Sequence, residues 1–484
     1  MPEETDRTLA DEVKARRRKA AHERWCQRFE KWTQRALWAE AFLLALWPTG
    51  ATIALLAGIV LLVVRFRIDA AFRFRHLPLD VPAALFAVIG AASIVVSPDR
   101  NFSFYNYYNL VGVYVLTYIL AGQVLRERQQ VKTLLTVSAV AAVLVILYGF
   151  YQFLFGIDTA SMKWVDGDAF PELKKRVFST WENPNILAGY LDIVICMAFG
   201  LLIKSGAKEQ RILLGLLMLA GAACLAMTYA RAALLVIAII IAVYGILRDW
   251  RVLAGCVGVA VLALLADPVL YDRILSVFTK VDTSMEMRTA LWESTVAMIQ
   301  DHPFLGIGWG AYYLVYPEYD FYLQGAPVLI VHAHNVYLNY AAEIGLPGAL
   351  AFCWFFFGGM WLAFKARFEA ANEPLLLPGP FTLSREAADA ELADVARSIE
   401  AQMPRQARQF WKLALYWPEQ RLLSGCALGL GLALVSVALN GLTDDLLFNI
   451  PTSMLLWLMA ALAGVLTLMQ ALPVEEVESY GGED

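Results

Sequence analysis

The stretch RILLGLLMLAGAACLAMTYARAALLVIAIIIAVYGILR, residues 211–248, decides the fold. Within it lie two apolar runs, near 210–228 and 231–247, joined by a very short turn at Thr228-Tyr229-Ala230-Arg231. Each run is long enough to cross about 30 Å of hydrocarbon as a helix. Basic residues close the far ends, Arg211 before the first run and Arg248 after the second. Short loops rich in Lys and Arg stay in the cytoplasm, so this hairpin starts and ends inside and its turn faces out.

Similar runs extend in both directions, near 34–48, 49–66, 80–97, 104–123, 131–155, 185–203, 252–267, 335–364, 422–441 and 451–472. With the hairpin they predict an all-α polytopic membrane protein of about twelve transmembrane helices. A basic N-terminus placed inside puts every later basic loop on the cytoplasmic face: Arg65 to Arg75, Arg126 to Lys132, Lys204 to Arg211, Arg248 with Arg251, and Lys365 with Arg367. Both termini are then cytoplasmic. One span missed or invented would break the alternation downstream.

Composition agrees. The 484 residues are 59% hydrophobic and 17% charged, with a mean hydropathy of +0.55, which excludes an ordinary water-soluble globule. The formal charge of −5 hides its placement, because Lys14 to Arg35 are strongly basic and Glu475 to Asp484 are acidic. Of six cysteines, Cys196, Cys224, Cys256, Cys353 and Cys426 fall in apolar runs and Cys26 in the basic segment. None has metal-ligand spacing and none suits a disulfide in a soluble loop. The N-terminal stretch lacks the order of a cleavable signal, so the first apolar run is expected to remain as an anchor.

The expected organisation is a basic cytoplasmic segment 1–33, a membrane domain 34–472 and an acidic cytoplasmic tail 473–484. Two outward loops are substantial, 157–184 and 268–334, the second between spans nine and ten. In that loop Thr283 and Glu286 have capping-box spacing, Leu291, Thr295, Met298 and Ile299 share a helix face, and Asp301-His302-Pro303 ends the helix. A cytoplasmic insert, 366–421, opens with the Pro-rich stretch Pro374 to Pro380 and continues into an amphipathic helix marked by Leu392, Val395, Ile399 and Met403.

Chemistry concentrates on the outer side. Val331-His332-Ala333-His334-Asn335 places imidazoles where the large outer loop enters a span. A helix start just after His334 disfavours imidazolium, so the ring is suited either to accept a proton or to cap and pack. Arg231 is pinned at headgroup level in its short turn and Arg288 lies in the loop helix. Their planar forks fit a phosphate or pyrophosphate, though Arg231 is equally suited to anchor at lipid headgroups and Arg288 to pair with Glu286 or Glu293. Lys174, Lys175 and Arg176 read as a solvated basic patch. Asp192 and Glu343 inside spans point to a polar interior or to helix–helix hydrogen bonds. No metal site is expected: His332 and His334 offer two ligands, and no neighbouring carboxylates or thiols complete a tetrahedron.

His334-Asn335 followed by Gly345 and Gly348 resembles the signature of the O-antigen ligase and O-antigen polymerase superfamily of membrane glycosyltransferases. Other stretches agree in order: Asn183-Pro184-Asn185 through Tyr190 opening one span, Arg231 opening another, Arg288-Thr289-Ala290-Leu291-Trp292 in the loop, and His302-Pro303-Phe304-Leu305-Gly306-Ile307-Gly308. The similarity covers roughly residues 40–365 and is closest to the ligases. It implies a GT-C-like membrane enzyme of the bacterial inner membrane, active at the periplasmic face. Such an enzyme moves a glycan from undecaprenyl pyrophosphate to a lipid A–core hydroxyl with no metal, cofactor or nucleic-acid partner. On that resemblance His334 is the general base, Arg231 and Arg288 hold pyrophosphate, and Asn185, Tyr229 and Asn335 are further substrate contacts. Ala230 and Ala232 flank Arg231 where the commoner wording has Ser and Gly, so no serine hydroxyl role carries over. A polymerase using the same donor is the alternative. A secondary transporter is a more distant one, because inverted repeats and broken mid-membrane helices are not found.

Overall fold

The computed structural model describes residues 2–156, 176–266, 271, 283–321, 330–368, 410–411, 413 and 419–471. Among these residues no strand occurs. The helices are α1 (Pro2–Leu43), α2 (Pro48–Ile68), α3 (Asp80–Ser93), α4 (Arg100–Tyr107), α5 (Val113–Val124), α6 (Arg128–Phe155), α7 (Pro184–Lys204), α8 (Lys208–Met227), α9 (Arg231–Arg248), α10 (Trp250–Ala266), α11 (Thr283–Asp301), α12 (Val336–Lys365), α13 (Glu419–Asn440) and α14 (Ile450–Ala471). Lys174, Lys175, Lys280, the helix expected around Leu392 and the tail from 473 lie outside the described residues.

Each apolar run coincides over most of its described residues with helix. Eight of these, α2, α6 to α9 and α12 to α14, are long and apolar enough to cross a membrane. Three more are shorter, Asp80–Val96, Val113–Val124 and Trp250–Leu262, and the run at 34–48 is the apolar end of α1. Helix α1 runs unbroken from Pro2 to Leu43, because nothing between its basic and apolar halves breaks a helix. A π-helical turn, Tyr108–Gly112, joins α4 to α5.

Helices α7, α13 and α14 form the enclosed centre, with 67%, 67% and 83% of their apolar windows buried against 22% for α9. The α7–α13 contact is close because it is made by glycines: a Cβ on Gly200 would overlap the backbone of Gly429. Asn440 Nδ2 also donates to Asp192 Oδ2 at 2.8 Å, so Asp192 serves a helix–helix hydrogen bond. Peripheral helices turn Ile53, Val60, Leu147, Leu235 and Leu262 outward, as lipid contact requires.

Contrary to the expectation of no broken span, helix α12 breaks at Gly345, where φ is +71°. The break frees backbone acceptors, and the loop after α11 takes them: Ile307 N–H donates to the Ala342 carbonyl and Gly308 N–H to the Glu343 carbonyl. In return Leu346 N–H donates to the Pro303 carbonyl. Buried Glu343 accepts from Gly310 N–H at 3.0 Å, so this intramembrane carboxyl holds the loop against the kink. A Cβ at Gly345 would overlap the Phe304 carbonyl, and one at Gly306 the backbone of Ala342 and Glu343. The two glycine motifs thus meet as one joint, which fixes α11 beside the start of α12. Leu291, Thr295 and Met298 are fully buried on the expected face of α11.

Candidate active site

Three helix starts assemble the site. Asn183 caps α7, its side chain accepting from Asn185 N–H at 2.8 Å with Pro184 in the first turn. Asn335 caps α12 by accepting from Tyr337 N–H and Leu338 N–H, each at 3.0 Å. Tyr229 precedes the start of α9 at Arg231, and His334 precedes the Asn335 cap. Both Tyr229 (φ +51°) and His334 (φ +48°) occupy the left-handed region, a strained conformation that clusters at functional sites.

The turn between α13 and α14 is tied to the start of α12. Val336 N–H donates to the Gly441 carbonyl at 2.9 Å, Asn335 Nδ2 to the Leu442 carbonyl at 3.0 Å, and Tyr337 Oη to the Ala438 carbonyl at 3.1 Å. That registration brings Asp444 to His334, with Nδ1 and Oδ1 3.1 Å apart. Asp444 Oδ1 also accepts from Asp445 N–H at 2.9 Å, and Oδ2 from Asn185 Nδ2 at 2.9 Å. Asn185 Oδ1 accepts from Arg176 Nη2 at 2.6 Å, while Arg176 Nε donates to the Thr228 carbonyl at 2.7 Å. A continuous chain of hydrogen bonds therefore runs from the Thr228-Tyr229-Ala230-Arg231 turn through Arg176, Asn185 and Asp444 to His334.

Arg288 approaches from α11. Trp292 Nε1 donates to the Ala333 carbonyl at 3.1 Å, pinning the helix to the histidine loop, and Arg288 lies one turn earlier on the same face. Its charge reaches both His332 and Asp444.

These contacts set the protonation pattern. Burial alone would push the Asp444 carboxyl up, but the His334 hydrogen bond, with the two imidazoles and the Arg288 guanidinium around it, holds it well below the usual carboxylate range. An ionised carboxylate only accepts, so His334 Nδ1 is the donor in their hydrogen bond. Burial, with the His334 and Arg288 charges, pushes the His332 imidazole down to about 3. His332 Nδ1 accepts from His334 N–H at 3.1 Å, so neutral His332 has its proton on Nε2. Asp445 is the opposite of its neighbour: burial and the Asp444 charge raise its carboxyl to about 7.

Of the residues expected from sequence, His334, Asn335, Asn185 and Arg288 come together here, and Tyr229 and Arg231 join through Thr228. The side-chain amides of Asn185 and Asn335 are each engaged through both nitrogen and oxygen within the protein. Arg176 is not part of a solvated patch but half-buried at the centre of the network. Asp444 carries no sequence signal beyond an acidic pair, Asp444-Asp445, in a short outer turn. Contrary to the expectation of no completing carboxylate, Asp444, distant in sequence, adds one to the two imidazoles.

The fold and the site together define a multi-pass, all-helical membrane protein with a histidine–carboxylate centre at one end of the helices. Residues 214–353 match the family model described as O-antigen ligase. That match spans less than a third of the chain and supports a relation to the O-antigen ligase superfamily. No curated protein matches the chain. Arg176, Asn185 and Asp444 lie outside the matched stretch, yet they complete the site within it.

Proposed function

We propose that the protein is an O-antigen ligase, transferring a glycan from undecaprenyl pyrophosphate to a lipid A–core hydroxyl at the periplasmic face of the bacterial inner membrane. The observation that supports this is the His334–Asp444 pair, 3.1 Å apart, whose histidine lies in the stretch that matches the O-antigen ligase model and whose carboxylate feels the Arg288 charge. His334 Nε2 takes the proton of the acceptor hydroxyl as its oxygen attacks the anomeric carbon. The bond from that carbon to the pyrophosphate oxygen breaks with its electron pair, and the anomeric centre inverts. Arg231 and Arg288 bind the pyrophosphate and offset the charge that develops on it. The starts of α7, α9 and α12 add their positive dipole ends on the same side. Asp444 orients the ring and stabilises the imidazolium, and no step calls on a metal or nucleotide sugar.

Purified protein supplied with lipid-linked glycan and either lipid A–core or a second lipid-linked unit tests the assignment. Attachment to lipid A–core without chain growth is expected. Elongation on the carrier lipid instead would make the protein a polymerase. Replacing His334 with Ala should reduce transfer by about 10²–10⁴-fold while membrane insertion is retained. A fully active His334→Ala variant would remove the base role.

A further inference from the structure

We propose that His332, His334 and Asp444 form a binding site for a zinc-class divalent cation, and that its occupation silences transfer. Each residue offers one donor atom, and these atoms all lie within 4.8 Å of one another. A tetrahedral zinc site needs ligand atoms about 3.4 Å apart, given metal–nitrogen bonds of about 2.0–2.1 Å. His334 Nδ1 and Asp444 Oδ1, at 3.1 Å, already meet that spacing, and His332 joins by giving its Nδ1 lone pair to the ion in place of the His334 N–H. The two imidazole rings pack edge to face with centroids 4.2 Å apart, and His332 is backed by Phe448 at 4.9 Å.

The donor set selects the class of ion. Two imidazoles and one carboxylate suit zinc, cobalt, nickel or copper, whereas magnesium and calcium favour oxygen ligands. Three protein ligands leave a fourth position open to water, and the His334 and Asp444 side chains are 36% and 16% exposed, so an ion can reach them. Supporting contacts are already in place: Asn185 Nδ2 and Asp445 N–H both orient the Asp444 carboxylate. Arg288 works against a cation, which sets a further expectation: its removal should tighten metal binding.

The functional consequence follows from the ring itself. A neutral imidazole has one in-plane lone pair, the same one a general base uses. A cation on Nε2 occupies it directly, and a cation on Nδ1 leaves the proton on Nε2. Either way the base is lost. This consequence rests on the proposed base role of His334, whereas the binding itself does not.

The test uses the full chain in lipid nanodiscs, stripped with chelator, in a Cys26→Ser background. That background removes a competing donor pair, since Cys26 Sγ lies 3.7 Å from His22 Nε2. Competition of zinc chloride against a chromophoric chelator should show one equivalent per chain. Cobalt should give the intense visible bands of a four-coordinate site. Affinity should fall at least tenfold in His332→Ala and in Asp444→Ala, and rise in Arg288→Ala. Absence of binding, or unchanged affinity in His332→Ala, would overturn the site. Zinc should stop glycan transfer in the parent protein, and His332→Ala should need at least tenfold more. Binding that leaves transfer untouched would overturn the inhibitory role. A parent that binds zinc but transfers no glycan in its absence would instead count against the ligase assignment alone.

Discussion

His334 and Asp444 show how a residue's chemistry depends on who holds it. The imidazole orients because a carboxylate with three donors cannot give a proton back, and that carboxylate stays ionised because Asn185, Asp445 N–H and His334 all point at it. Asp444→Asn should therefore keep the fold and lower transfer by roughly 10²-fold or more, since an amide permits the wrong tautomer. Its kcat should fall with little change in donor affinity; a variant with normal kcat would deny Asp444 its orienting role. Arg176 and Asn185 act one step further out. Asn185→Leu should cost roughly tenfold in kcat, a misplacement effect, while binding of undecaprenyl pyrophosphate is unchanged. Arg231→Ala and Arg288→Ala should do the reverse, weakening binding of that lipid roughly tenfold each, and unchanged affinity in both would return the two arginines to anchoring roles.

At the scale of elements, the kinked α12 is the hinge of the design. The backbone break at Gly345 supplies acceptors for Ile307 and Gly308, and this joint sets where α11 can lie and hence where Arg288 can reach. Gly345→Ala adds a Cβ against the Phe304 carbonyl at a backbone angle that L residues rarely hold. It should cost about 2 kcal/mol or more, read as a lowered midpoint in thermal unfolding of the solubilised protein. An unchanged midpoint would mean the joint reforms without the glycine. The close α7–α13 contact is the other constraint on the site, since it carries Asn185 on one helix and leads into Asp444 from the other.

For the whole molecule, the decisive property is sidedness. The chain alternation puts Arg65, Arg126, Lys204, Arg248 and Lys365 at one end of the helices and the histidine centre at the other. Phe448 is exposed beside the site, and Cys26 lies in the basic segment. In intact cells freed of their outer membrane, a membrane-impermeant thiol reagent should label a Phe448→Cys variant at once. Cys26 should react only after permeabilisation, and the reverse pattern would place the site in the cytoplasm. Hydrophobic runs and the spacing of Lys and Arg were enough to read the helices and their expected sides, because the cost of burying charge in lipid acts on each segment by itself. His334, Arg288 and the glycine pairs were legible for a similar reason, as local motifs at helix ends. Arg176 was not, because a basic residue in a polar loop looks solvated until its partners are known. Nor was Asp444: an acid in a short outer turn is unremarkable in sequence, and only the docking of Gly441 and Leu442 on the start of α12 brings it to the histidine. Sequence by itself determined which segments are helical and which short motifs sit at their ends. The tertiary structure decided which of them form a site, because a hydrogen bond between groups more than a hundred residues apart depends on packing that no local pattern encodes.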